Sequence, residues 1–369
     1  MKSRFLMCCA QGEKSVSKMN LRVVLVSIMA IAGLHGHSLF AATVAVGPPA
    51  CQPSLVHFST IQAAVTAVPS GSTVLVCPGT YPEQVTITQP LTLKGITSGN
   101  SGQAVIAPPV GGLVTNAVDE FGTTLALQLW VDNVSGGPVN ISDITVDGSG
   151  NGVTTCHPVI LGIFYENSSG TANEVTIRNQ KGNGCGEGFL AEGGGTLPTV
   201  IIENSSIHDT DTGIYTQNQV TVTIKANDVN VPGLGMFFDE GGSNTVSGNI
   251  VIAGFEGIGA KAGAAGSVSG NTVMNTQFGI VAQSDGVSFT SNKVFNSSVI
   301  GIEVLTSAAA IQRNSITNSQ VGIEFNCSAN PNVIHNTIGE AQTGIDQVPA
   351  SLAAPNTYFN VSTIRTSGC

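Results

Sequence analysis

The chain has 369 residues, of which 45 are glycine and 10% are charged, and its formal net charge is −10. A hydrophobic fraction of 41% argues against disorder, which requires low hydrophobicity together with high net charge. The scarcity of charged residues and of leucine heptads excludes coiled coils and helical bundles, and the abundance of glycine favours short strands joined by tight turns.

An export signal is the first element that the sequence predicts. A short basic start precedes an apolar stretch, Val23 to Leu34, and small residues follow near position 42. The apolar stretch is too short for a comfortable membrane span, and a buried N-terminal helix is the alternative interpretation. We predict that residues 1–42 comprise a signal peptide, with Met19 as a candidate for the true start.

The exported part of the chain is strongly acidic. Cleavage after residue 42 removes five basic residues and one acid and leaves a net charge of −14. This charge opposes nucleic acid, whose binding depends on neutralising phosphates. It also disfavours a polyanionic ligand unless local positive charge or a bound cation compensates. We predict a secreted or periplasmic protein with no nucleic-acid partner and, after signal removal, no membrane span.

An N-terminal cap is predicted at about residues 55–72. Ser59 can N-cap a short helix that carries Ile61, Ala64 and Val65 on its apolar side. This helix is expected to cover the open end of the structure that follows. Strands are predicted next at Thr73–Cys77, Gln84–Ile87 and Leu91–Lys94.

A repeat of about 22 residues dominates the rest of the chain. Each copy contains a glycine followed by an apolar residue, and in the later copies an asparagine precedes that glycine by eight or nine positions. The glycines are Gly162, Gly188, Gly213, Gly235, Gly257, Gly279, Gly301, Gly322 and Gly344, and the asparagines are Asn227, Asn249, Asn271, Asn292, Asn314 and Asn336. A fixed period of this size is typical of stacked repeats.

The repeat predicts an all-β fold, a single-stranded right-handed parallel β-helix. The domain is expected to span residues 43–369, with a C-terminal cap at about 350–369. Coils would stack at about 4.8 Å and bury their apolar faces against one another. Asparagine and glycine tolerate left-handed turns, and asparagines in register can bond to one another as amide ladders do. The right hand follows from the general handedness of parallel crossovers.

The stretch from Thr60 to Ile87 (TIQAAV, then PGTY and VTI) resembles the opening of parallel β-helix proteins of the pectin-lyase-like superfamily. The resemblance covers about residues 55–350 and implies the fold. It implies no single activity, because that superfamily includes lyases, hydrolases, esterases, epimerases, adhesins and non-catalytic proteins. Its Gly-His-Gly, Trp-Ile-Asp-His and Gln-Asp-Thr motifs are missing from this sequence, so no catalytic residue carries over.

Six cysteines remain in the exported part, and an even count in an exported protein predicts disulfides. A zinc site is the alternative, although the sequence contains no C-x-x-C pair and no clustered histidines. Fifteen pairings are open. We favour the sequential pairs Cys51–Cys77, Cys156–Cys185 and Cys327–Cys369.

Two outward columns are predicted at the second and fourth residues after each repeat glycine. They combine aromatic side chains with carboxylates. Rings stack on sugar faces and carboxylates accept hydrogen bonds from hydroxyls, so we predict a glycan-binding face. Its candidate ligand-binding residues are Phe164, Glu166, Tyr215, Gln217 and Phe237.

Three of the outward residues are candidates for catalysis. Glu192 and Asp239 lie two coils apart, at about 9.6 Å, which is near the upper end of the separation in inverting glycosidases. Lys261 could serve as the base of a lyase if its pKa were lowered. The pattern leaves three interpretations open: a polysaccharide lyase or glycoside hydrolase, a glycan-binding protein, or a non-catalytic surface or adhesin-like β-helix with ordinary solvated side chains.

Glu303, Glu324 and Asp346 form an acidic column on three successive coils. Neighbouring carboxylates repel one another unless a cation bridges them, and calcium takes several oxygens of this kind. Calcium is therefore the candidate cofactor, and a solvated acidic stripe is the alternative.

The stretch IHDTDTG places His208, Asp209 and Asp211 close together. These residues could form acid–base or metal-binding machinery. The alternative is a turn in which the aspartates bond to backbone groups.

Overall fold

The computed structural model describes residues 40–97, 102–119, 122–195, 197–239, 242–261, 263–306, 309–325, 332–347 and 355–366. The predicted signal peptide, apart from its last three residues, lies outside these ranges. The predicted bond between Cys327 and Cys369 also lies outside them.

One helix and 34 strands make up the described regular structure. The helix, α1 (Ile61–Ala67), lies between β2 and β3. The strands are β1 (Thr43–Val46), β2 (Val56–Phe58), β3 (Ser72–Val76), β4 (Gly79–Pro82), β5 (Val85–Ile87), β6 (Leu91–Gly95), β7 (Ala104–Ala107), β8 (Ala117–Val118), β9 (Thr124–Asp132), β10 (Val139–Ser142), β11 (Ile144–Asp147), β12 (Val159–Glu166), β13 (Gly170–Asn173), β14 (Thr176–Arg178), β15 (Gly186–Glu192), β16 (Thr199–Glu203), β17 (Ser206–His208), β18 (Thr212–Gln217), β19 (Thr221–Lys225), β20 (Asp228–Val231), β21 (Leu234–Phe238), β22 (Ser243–Ser247), β23 (Ile250–Ala253), β24 (Glu256–Ala260), β25 (Ala265–Ser269), β26 (Thr272–Met274), β27 (Phe278–Ala282), β28 (Gly286–Thr290), β29 (Lys293–Val304), β30 (Ala310–Gln312), β31 (Ser315–Phe325), β32 (Asn332–Ile334), β33 (Thr337–Asp346) and β34 (Thr357–Arg365).

These strands form a parallel β-helix, as the repeat predicts. A typical coil contributes three short strands, such as β19, β20 and β21, and each of them pairs in parallel with its counterpart one coil later. One wall is a sheet of 13 strands, and the remaining strands form a sheet of 21. In the described part of the chain the pairing of β8 with β9 is the one antiparallel pairing.

The repeat glycines are required by close packing and not by turn geometry. None of the nine has a positive φ. A Cβ added to Gly235 would lie 2.4 Å from the carbonyl oxygen of Gly257 and 2.4 Å from Cγ1 of Val251. Each repeat glycine therefore lets its coil approach the next one across a position where any side chain would clash.

The repeat asparagines form a continuous buried ladder, as predicted. The side-chain amide of Asn249 donates to Oδ1 of Asn271 at 2.9 Å and to the carbonyl of Ile224 at 3.0 Å. Its backbone N–H also donates to Oδ1 of Asn271, at 3.0 Å. The left-handed residue at this corner is the one before each asparagine, such as Ala226 or Ser291. The prediction that the asparagines themselves occupy left-handed turns is therefore wrong for this ladder.

The N-terminal helix packs into the same core as the coils. Ile61, Ala64 and Val65 are buried in it. The N-cap is Thr60, whose side chain accepts from the N–H of Ala63, so the prediction of Ser59 is wrong by one residue. The helix begins one residue later than the sequence suggested. Its role as an end cap stays a prediction.

The other terminal predictions have mixed outcomes. The predicted strands after the helix agree with β3, β5 and β6 to within one residue at each end. The described part of the predicted C-terminal cap contains β34, which pairs in parallel with β33.

Among the described residues, no helix has the length and hydropathy needed to cross a bilayer.

Two of the predicted disulfides are present. Cys51 bonds to Cys77, and Cys156 bonds to Cys185. The first ties the segment before the helix to β3, and the second closes a loop beside β15. The sulfur atoms of these four cysteines are therefore not available to zinc.

Replacing Asn271 by alanine should destabilise the fold. The change removes the acceptor for two donors of Asn249 and leaves the carbonyl of Val246 without its amide donor. Buried groups left without partners cost about 1–3 kcal/mol each, so three of them predict a loss of at least about 3 kcal/mol in the free energy of unfolding, measured by urea denaturation.

The matched control is Asn318→Gly. Asn318 is exposed, bonds to Asn296 in a second asparagine ladder and has a positive φ that glycine tolerates. It should cost less than about 1 kcal/mol. Equal losses in the two variants would show that the buried ladder contributes no more than the exposed one.

Candidate functional site

The candidate site is the outward surface of the strands that carry the repeat glycines, which we call the outer face. Register places the second-position residues one above another, as predicted, so that Tyr215 pairs with Phe237 and Glu303 pairs with Glu324. The column continues upstream to Trp130, which pairs with Phe164. Residues directly before the repeat glycines form a further column on this face.

Phe164 is not exposed, contrary to what its place on the outer face suggested. Its side chain is only 2% exposed. It belongs to a second apolar cluster, separate from the core inside the coils, in which Leu161 and Leu190 flank it. The hairpin of β8 and β9 adds Ala117 to this cluster. Phe164 therefore points outward but presents no open ring surface to a ligand.

Tyr215 and Phe237 are two partly exposed aromatic residues of the face. They lie on adjacent coils, and their ring centroids are 5.7 Å apart with an interplanar angle of 54°. This tilted arrangement is among the favoured geometries of aromatic pairs. The two rings make a small platform, which we call the ring pair.

Charged groups lie at the edge of the ring pair. Lys261 Nζ is 2.7 Å from Asp239 Oδ2 and 5.1 Å from the centroid of Phe237. The hydroxyl of Tyr215 donates to the same oxygen of Asp239 at 3.3 Å. The structure therefore brings two of the three catalytic candidates, Asp239 and Lys261, together with both rings.

Glu192, the third catalytic candidate, is held by amides. Gln217 donates to its Oε2 at 3.1 Å, and Asn218 donates to its Oε1 at 2.7 Å. Glu166, one coil upstream, accepts from the indole of Trp130 at 3.0 Å. Burial raises the pKa of Glu166, and the nearby charge of Glu192 raises it further.

Glu187 was missed by the sequence analysis. Burial, and then the charge of Glu192, raise the pKa of its carboxyl to about 7. Burial also raises the pKa of Tyr215, with added effects from Asp239 and Glu187. Glu187 lies directly before Gly188, and an acid at that position of the repeat was the signal that could have identified it.

Glu256, directly before Gly257, was missed in the same way. Its side chain lies beside Phe237, in the space that a side chain at Gly259 would occupy. The residue is 8% exposed, and its Oε1 has no hydrogen-bond partner among the described residues. Burial, and then Glu303, raise its pKa to about 7, while Lys261 acts in the opposite direction.

The acidic column is in register as predicted. Glu303 pairs with Glu324, and Glu324 pairs with Asp346. Burial and the next acid along the column raise the pKa of Glu303 and of Glu324. In the described part of the chain, no group of three or more His, Cys, Asp or Glu side chains is placed to hold a metal. Calcium at this column stays a prediction.

His208, Asp209 and Asp211 do not converge on one point. Asp209 has a positive φ and contacts both His208 and Lys181. Asp211 instead accepts three backbone N–H bonds from the loop at 182–186. The structure favours the turn interpretation, in which Asp211 fixes the loop that carries Cys185.

Comparisons with known proteins agree with this architecture. The family model described as a right handed beta helix region matches residues 161–309. The A-module of Azotobacter vinelandii mannuronan C-5 epimerase AlgE4 is 14% identical, with a TM-score of 0.51 over 83% of this chain and 92% of that one. The AlgE6 A-module from the same organism is 17% identical, with a TM-score of 0.51 over 84% and 95%. No curated protein sequence matches. Such identities show the fold alone.

Glu256→Gln should flatten the pH dependence of stability. The carboxyl titrates near pH 4.3 when unfolded and near 7 when folded, so the folded state binds more protons between these values. Stability contributed by Glu256 is therefore complete below pH 4.3 and is lost as pH rises through 7. We expect the variant to lose about 1–3 kcal/mol less than the native protein between pH 5 and 8, by urea denaturation.

The control is Glu340→Gln, an exposed acid on the surface of β33. This variant should keep the slope of the native protein. An unchanged slope in Glu256→Gln would mean that the buried carboxyl does not titrate between these pH values.

Proposed function

Because this chain is a right-handed parallel β-helix repeat protein, we propose that it is an exported glycan-binding protein whose ligand lies across the ring pair. The observation that carries the proposal is the placement of Tyr215 and Phe237 side by side, with the Asp239–Lys261 pair at their edge. Binding sites for small ligands commonly combine aromatic surfaces with a few polar groups. Rings would contact the apolar faces of sugars, and carboxylates would accept from their hydroxyls.

Two further facts support an exported glycan-binding protein. Disulfides such as Cys51–Cys77 persist in oxidising compartments, which fits the predicted signal peptide and a secreted or periplasmic location. The same fold occurs in two modules named as mannuronan C-5 epimerases.

We propose glycan cleavage as the catalytic form of this function. A carboxyl group whose pKa is raised toward 7 is typical of a general acid. Glu187, with its pKa raised to about 7, would serve as the proton donor, and Glu192 or Asp239 would serve as the carboxylate. A hydrolase fits better than a lyase based on Lys261, because the ammonium of Lys261 is 2.7 Å from Asp239 and would have to give up that ion pair.

A non-catalytic surface or adhesin-like β-helix is the second candidate. The observation that favours it is that Glu192, Asp239 and Lys261 already bond to neighbours on the face. Glu192 accepts from two amides, and Asp239 binds both Lys261 and Tyr215. Such contacts also suit a surface that only binds.

Phe237→Ala should weaken glycan binding by at least tenfold. The change removes one of the two rings and the surface over which Lys261 lies. Single aromatic residues commonly account for much of the affinity of a binding site. Affinity electrophoresis or calorimetry with the tightest binder from a glycan array would measure the loss.

The matched control is Phe295→Ala, which removes a partly exposed ring from a different column of the coils. It should leave binding unchanged. Equal losses in the two variants, or retained affinity in Phe237→Ala, would rule out the ring pair as the binding site.

Glu187→Gln and Glu192→Gln should abolish product formation if the protein cleaves its ligand. We expect at least a hundredfold loss in rate for each, with little change in melting temperature, because both substitutions preserve shape. Chromatography of released oligosaccharides would measure the rate. Release of no product by the native protein from a glycan that it binds would favour the second candidate.

A further inference from the structure

The charge of the outer face is strongly one-sided. Its three columns, followed from Trp130 to Asp346, carry one basic residue, Lys261. They carry nine acids: Asp132, Glu166, Glu187, Glu192, Asp239, Glu256, Glu303, Glu324 and Asp346. Surface potentials of one sign suppress partners of the same sign. A carboxylate on a ligand would therefore approach this face against a negative potential, which is strongest above pH 7, where Glu187 and Glu256 are also ionised.

The one basic residue is already engaged. Lys261 forms an ion pair with Asp239 at 2.7 Å. The charge of Lys261 also lowers the pKa of Glu256, so this ammonium interacts with two acids of the face. A ligand carboxylate would have to compete with these groups for the same ammonium.

Three hydrogen-bond donors around the ring pair and upstream of it are directed at acids of the face itself. The indole of Trp130 donates to Glu166, the amide of Gln217 donates to Glu192, and the hydroxyl of Tyr215 donates to Asp239. A ligand carboxylate is an acceptor only, whereas sugar hydroxyls and amines can donate. The groups that the face offers to a ligand are therefore mainly acceptors.

Glu256 is a second, independent observation that favours a ligand with hydrogen-bond donors. Its Oε1 is buried beside Phe237, and no hydrogen-bond donor reaches it among the described residues. Buried acceptors without partners are uncommon in folded proteins. A ligand that lies against Phe237 and supplies a donor would satisfy this oxygen if the carboxyl group rotated toward it.

We propose that the glycan recognised by the outer face carries no carboxylates and is a neutral or amine-bearing polysaccharide. This inference rests on the proposed function, since it concerns the ligand of the same ring pair. It sets this chain apart from the two epimerase modules that share its fold, because mannuronan is a polymer of uronic acid.

The test compares a polyuronate with its own carboxyl-reduced form. Purified full-length protein would be titrated by calorimetry with polygalacturonate, polymannuronate, their carboxyl-reduced counterparts, xylan, mannan and chitosan. Each titration would be run in EDTA and again with added calcium. We expect a neutral or amine-bearing polymer to bind at least tenfold more tightly than any polyuronate, with EDTA and with calcium. A polyuronate that binds as tightly as its reduced form, with or without calcium, would overturn the inference.

The double variant Glu303→Gln/Glu324→Gln tests the cause. It removes two acids of the face without touching the ring pair, so polyuronate binding should strengthen severalfold while binding of the neutral polymer stays the same. Unchanged discrimination would show that these acids do not exclude the polyuronates.

Variants of the ring pair separate the two proposals. Binding of a polyuronate that is lost in Phe237→Ala would retain the proposed function and overturn only the inference about charge. Binding of no polymer at all would overturn both.

Discussion

Register between coils is the constraint on which the rest of this structure depends, and two kinds of residue enforce it. The buried asparagines bond along the axis through both side chain and backbone, so that Asn249, for example, is fixed on Asn271. The repeat glycines let neighbouring coils approach to a distance at which a Cβ would clash. A slip of one residue would separate the amides and turn core side chains toward solvent.

The chemistry of the outer face follows from this register. A residue at one position of a coil has the same position of the next coil as its neighbour, about 4.8 Å away. Like groups are therefore brought together without any dedicated loop. The rings of Tyr215 and Phe237 pair in this way, and so do the acids Glu303 and Glu324, whose pKa values rise. The pairing of the rings and the repulsion between neighbouring acids therefore have the same structural origin, which is the register between coils.

The periodic features of the sequence predicted the fold well, and the irregular ones were missed. The period, the glycine and asparagine positions and the outward columns could be predicted because each depends on a local pattern that is repeated many times. Two disulfides were predicted instead from the even number of cysteines and their sequential order. The burial of Phe164 could not be predicted, because it depends on a second apolar cluster on the outside of the coils, to which the hairpin of β8 and β9 also contributes. Glu187 and Glu256 were missed because the repeat glycine and the residue after it both face the core. The residue directly before the glycine therefore faces outward, on the same side as the second residue after it. Asp211 has its partners 25 to 29 residues away, in a loop with no counterpart in other coils.

The asparagine ladder also bears on how such a chain can change in length during evolution. Insertion of one complete coil would add a new asparagine, a new glycine and a new set of outward residues. Each coil next to the insertion would keep one of its two original neighbours and pack against the new coil on its other side. Insertion of a single residue within a strand would break the ladder. Extra residues are accommodated at corners instead, as between Gly162 and Gly188, where the longer coil holds the loop that carries Cys185. The length of the binding face is therefore inherited in units of whole coils, whereas its local shape can vary one residue at a time.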